Sequence, residues 1–158
     1  MTFPAYFRNA IGVFPILGCV SGVMGSVLTA SKGSIGLLTG GTLVLASFLY
    51  LFGAYCGIAA IKRRFGWFRL NFLFWLIQVP VLASQLVSYR FASGWLFSIW
   101  VKTSPIGAGS DFWLGSTFTL KFFNAGNLVL GMNLVAFTIV IYMLQVARKL
   151  NTTTTQGG

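Results

Sequence analysis

The side chains that could do chemistry in this chain are few, and that scarcity sets the first bounds. Among 158 residues there is one acid, Asp111, no histidine, two cysteines and eleven lysines and arginines. General acid–base catalysis needs a positioned titratable group, and a nucleophile needs an activating base beside it. One carboxylate and no imidazole leave little to build either from, so a non-catalytic protein is expected. Cys19 and Cys56 stand singly in apolar runs and cannot by themselves form a structural zinc site. Gly36 to Gly41 is glycine-rich but lacks the Lys-Ser or Lys-Thr that completes a phosphate-binding loop. No cofactor and no metal are therefore expected. Asp111 follows Gly109-Ser110 and reads as a turn residue bonding its own backbone, with an ion-pair or recognition contact as the alternative.

The remaining polar groups are unreactive and lie in apolar surroundings. Gln78, Gln85, Asn124, Asn127 and Asn133 are amides inside or beside long hydrophobic stretches. Such groups seek partners in hydrocarbon, so they are expected to face neighbouring helices, with a polar pathway as the alternative. The cations gather at the ends of apolar runs. Lys62, Arg63, Arg64 and Arg69 fall within eight residues, and Arg148-Lys149 closes the last run. A net charge of +10 would suit nucleic acid, but cations strung out in this way form no basic face. They suit anionic lipid headgroups instead.

These residues must be held by elements that are themselves apolar. The chain is 56% hydrophobic and 8% charged, with a mean hydropathy of +0.84, whereas soluble chains carry roughly 25% charged residues. Such a sequence belongs in a bilayer. Four runs are long enough to cross about 30 Å of hydrocarbon as helices: residues 10–30, 37–61, 65–89 and 125–147. The motif Ile16-Leu17-Gly18-Cys19 resembles a lipoprotein cleavage site, but the apolar run continues past it to Ala30. Gly18, Gly22 and Ser26, then Gly53 and Gly57, recur every four residues, and Gly131 sits in the last run. Small residues at this spacing let helices approach closely. Pro80 is expected to kink the third span.

Between the third and fourth runs the period changes. Trp95, Phe97, Ile99 and Val101 alternate with Leu96, Ser98, Trp100 and Lys102, a period of two that favours a strand over the competing interfacial helix at Gly94 to Val101. Ser104 to Asp111 carries turn residues, and alternation resumes from Phe112 and Trp113 to Phe122. The expectation is an all-α membrane protein, a four-transmembrane-helix bundle with an extracytoplasmic β-hairpin over 93–122 and a disordered tail over 151–158. An isolated hairpin is marginal in water, so Trp95, Trp100, Asp111 and Trp113 are expected to contact lipid, the helix ends or a partner. With both termini inside, Arg8, Lys62, Arg63, Arg64, Arg69, Arg148 and Lys149 are cytoplasmic, against Lys32, Arg90, Lys102 and Lys121 outside. That bias follows the positive-inside rule for a plasma membrane of bacterial type.

Four spans with the largest loop between the third and fourth resemble the layout of tetraspanins, although Cys19 and Cys56 do not reproduce the Cys-Cys-Gly motif of that family. The arrangement also resembles four-helix immunity proteins against pore-forming toxins. The function expected is that of a membrane subunit or scaffold, in a homo-oligomer or with other membrane subunits. An oligomeric pore, or a toxin-binding immunity-type protein, stands as the alternative.

Overall fold

The computed structural model describes residues 4–31, 36–123 and 127–155, with side chains as far as Lys149. Its elements are α1 (Ala5–Ala30), α2 (Leu37–Ile61), α3 (Trp67–Leu76), β1 (Pro80–Ala83), β2 (Val87–Thr103), β3 (Ile106–Phe122), β4 (Val129–Asn133) and α4 (Leu134–Thr155). The expected all-α bundle of four spanning helices is thereby overturned. Two helices, α1 and α2, are long and apolar enough to cross a membrane among the described residues, and the rest of the apolar sequence divides between α3, α4 and a curled four-stranded antiparallel sheet.

α1 and α2 form an antiparallel pair held by their glycines. A Cβ on Gly12 would come within 2.8 Å of the Gly57 carbonyl, and one on Gly22 within 2.5 Å of the Tyr50 ring. The space each missing side chain leaves is filled by the other helix, which is how close approach stabilises helices without a hydrophobic drive. Gly53 instead receives the Phe74 ring of α3 and the Cys19 sulfur of α1.

The third apolar run does not continue as a helix. α3 ends at Leu76, and Pro80 opens β1. A proline has no N–H for the helix ladder and its ring pushes the preceding residue toward extended conformations, so Val79 leaves the helix and no kinked span forms. The fourth run shows the same change in reverse order. Val129–Asn133 is a strand, and the helix begins only at Leu134. Each stretch read as one spanning helix is thus part helix and part strand. α3 returns along the C-terminal half of α2, where the Asn71 amide donates to the Cys56 carbonyl at 2.8 Å. α4 heads toward the start of α1, where Phe7 meets Tyr142 at 4.2 Å between ring centroids.

The sheet order is β1-β4-β2-β3, and β1 pairs with β2 as well. β2 closes this ring because it is long and bent. Its first half, Ser88 to Arg90, pairs with β1, while its second half, Ser98 to Lys102, pairs with β4, which in turn pairs with β1. The bend sits where Gly94 faces Gly115 across the β2–β3 ladder. Both adopt positive φ, +100° and +116°, a conformation that glycine reaches without steric cost. The β2–β3 hairpin begins at Val87, not Ser93, and turns tightly through Ser104-Pro105, joined by a cis peptide. Residues 106–111, expected as turn, are strand. The Gly94 to Val101 segment, for which an interfacial helix was the alternative, is strand as well.

Candidate functional site

Two features have the geometry of sites: the seam where α1 meets the bent hairpin, and the cavity inside the curl. At the seam, Gly18 of α1 lies directly on Ser93 and Gly94, with no room for a Cβ. Ser93 Oγ donates to the Pro15 carbonyl at 3.3 Å and lies 3.3 Å from Cys19 Sγ, and Ser116 Oγ donates to the Gly18 carbonyl. Trp95 stands edge-on to Phe14 at 5.5 Å. Gly18 therefore packs a helix against a sheet and not, with Gly22, along a helix–helix stripe. Ser26 is half-buried and its hydroxyl bonds back to the Gly22 carbonyl of its own helix at 2.9 Å.

The two buried amides sit at the helix-to-strand changes. Gln78 is fully buried just beyond α3; its Oε1 accepts the Ser93 N–H at 2.8 Å and its Nε2 donates to the Phe74 carbonyl at 3.2 Å. Asn133 caps α4, its Oδ1 accepting the N–H groups of Val135 at 3.2 Å and Ala136 at 3.5 Å. Those are the second and third helical positions, where an Asn cap satisfies donors the helix leaves open. The same oxygen lies 3.4 Å from the Phe97 N–H. The two changes touch, since the Asn133 N–H donates to the Val79 carbonyl at 2.8 Å. Tyr89 reaches the same region, donating its hydroxyl to the Ile77 carbonyl at 2.7 Å. Gln85 and Asn127 are exposed and share a shallow cavity with Ser104 at the far end of the sheet, remote from Gln78. Asn124 and Lys32 lie outside the described residues.

Inside the curl, Arg90 reaches along β2 from one side of the bend to the other. Its Nη2 donates to Ser98 Oγ at 3.1 Å and to Asp111 Oδ2 at 2.9 Å. Asp111 is thus an ion-pair partner on β3 and not a turn residue. The pair fastens the two halves of the bent hairpin together. It borders a cavity of about 540 Å³, also lined by Lys102, Ser88, Thr119 and Asn127. Trp100 forms part of the wall, and its ring covers Gly109 while its Cβ and backbone cover Gly131. Gly131 consequently packs in the sheet and not on a helix stripe. Nothing in the sequence separates Arg90 and Lys102 from the other cations; only their shared parity on β2 with Ser98 could have grouped them.

The outer surfaces differ in character. Trp95, Phe97, Ile99 and Val101 project from one side of β2, and Phe112, Trp113 and Leu114 are exposed on β3. Among the described residues β3 pairs only with β2, so its other edge carries no partner strand there. Lys62, Arg63, Arg64 and Arg69 are exposed at the end where α2 gives way to α3, and Arg148 and Lys149 are exposed on α4 beyond Tyr142. Arg8 is buried near the start of α1. These cations gather at the helical end, opposite the sheet. No protein-family model, no curated protein and no solved structure matches this chain.

Proposed function

We propose that the protein is a non-catalytic integral membrane subunit that assembles, with its own copies or within a larger complex, through the free edge of β3. The observation that carries this reading is that edge: a 17-residue strand with one side unpaired among the described residues, and with Phe112, Trp113 and Leu114 exposed. Unpaired strand edges recruit other strands, and soluble proteins blunt them with charges or prolines. Only Asp111 and Lys121 carry charge within this strand.

The membrane setting is supported by the outward faces of α1 and α2. Leu17, Met24, Val27 and Leu28 on one helix, and Val44, Phe48 and Leu51 on the other, are exposed, as lipid-facing side chains would be. With the cation-rich helical end toward the cytoplasm, by the positive-inside rule, the sheet faces the opposite compartment in a plasma membrane of bacterial type. Its partners are then anionic headgroups and other membrane subunits or copies of the chain.

Particle mass in a mild detergent tests the assembly. The wild-type chain should run as a dimer or larger species, and Phe112→Lys together with Leu114→Lys should reduce it to a monomer with an unchanged circular dichroism spectrum. A wild-type chain that is monomeric and co-purifies with no other subunit contradicts the reading.

A further inference from the structure

The cavity inside the curled sheet holds two cations and one anion, and this imbalance has a chemical consequence. Arg90 commits Nη2 to Ser98 and Asp111, and its Nε is buried without a partner. Lys102 borders the same space, so Asp111 neutralises one charge of two. Ser88, Thr119 and Asn127 add hydroxyl and amide groups to the wall, in a volume of about 540 Å³. A planar guanidinium held by a carboxylate on one side, an ammonium able to swing, and neutral donors between them make a recognition set for a tetrahedral oxyanion. Trp100 supplies an apolar wall.

We propose that this cavity binds a phosphate group, with Arg90 and Lys102 as its cationic contacts and Ser88, Thr119 and Asn127 as neutral donors. The phosphate is either that of an anionic phospholipid headgroup, drawn in from the leaflet at the sheet end, or free inorganic phosphate. This site is separate from the assembly edge. The β3 residues that face the cavity, Asp111 and Thr119, are not the exposed aromatic and aliphatic groups beside the free edge. Asp111 competes with the ligand for Arg90, which fixes the sign of its effect: removing its charge should tighten binding, where a purely structural ion pair would leave binding unaltered.

The test is a titration of the full chain in neutral detergent micelles, first with inorganic phosphate and then with micelles doped with phosphatidylglycerol against phosphatidylcholine, read by Trp fluorescence and thermal midpoint. Saturable binding of inorganic phosphate assigns a free-anion site, and saturable binding confined to phosphatidylglycerol assigns a headgroup site; either supports the proposal. Lys102→Gln should weaken the dissociation constant about tenfold, the scale of one charge-assisted contact. Asp111→Asn should tighten it several-fold. Lys121→Gln, which alters a cation lining a different cavity, should leave it unchanged. Absence of saturable binding to both probes overturns the proposal. Equal losses in the Lys102 and Lys121 variants overturn it too, since that result would mark unspecific charge attraction.

Discussion

Gln78 and Asn133 perform one task at two places, which is to supply hydrogen bonds where the backbone changes from helix to strand. The Ser93 N–H is buried and its acceptor is the Gln78 side chain; without it, that donor has lost water and gained nothing. Gln78→Leu should therefore destabilise the fold by about 1–3 kcal/mol, the cost of an orphaned buried group, measurable as a shift in denaturant-induced unfolding in micelles. A shift no larger than that of an exposed control such as Gln85→Leu would contradict the assignment. Tyr89 adds to the same junction by donating its hydroxyl to the Ile77 carbonyl.

Elements explain what sequence could and could not reveal. Two long helices at α1 and α2 were legible from unbroken apolarity, but glycine at four-residue spacing marked their contact only in part: Gly22 and Gly57 meet the opposite helix, whereas Gly18 meets the β2 hairpin and Gly53 the Phe74 ring as well as Cys19. The alternation from Trp95 to Lys102 was legible for a similar reason, since the strand period of two leaves its mark on polarity. The mixed helix and strand character of residues 65–89 and 125–147 was not, because hydropathy records apolar surroundings and is blind to which hydrogen-bond ladder satisfies the backbone. Only Pro80 and Asn133 mark the changes, and each has an ordinary reading inside a membrane helix. The curl likewise depends on Gly94 and Gly115 meeting across a ladder, a long-range fact that neither residue announces. The seam between α1 and the bend is the most demanding contact. Gly18→Val should cost about 1–3 kcal/mol or more through overpacking, whereas Gly25→Val, where a Cβ meets nothing within 4 Å, should show no comparable packing loss. Equal effects in a thermal unfolding comparison would mean that the seam is not closed as described.

At the scale of the whole molecule, the chain divides along the axis of α1 and α2. One end gathers four helices and most of the cations; the other holds the curled sheet, its cation-bearing cavity and the open β3 edge. Pro15 and Gly18, near the middle of α1, mark the level at which one regime replaces the other. α1 and α2 are each long and apolar enough to cross a bilayer, as the proposed function requires, and α3, β1, β4 and α4 lie beside them without either of the other apolar runs forming a continuous helix. The measurement that tests this account most directly is thiol labelling in sealed, oriented vesicles of two variants, Arg63→Cys at the α2–α3 turn and Ser104→Cys at the hairpin tip, both exposed, while native Cys19 and Cys56 are buried. An impermeant reagent should label the Ser104→Cys protein from the external face and the Arg63→Cys protein only after the membrane is opened. Labelling of both from the same face would contradict a chain that crosses the membrane between its helical end and its sheet.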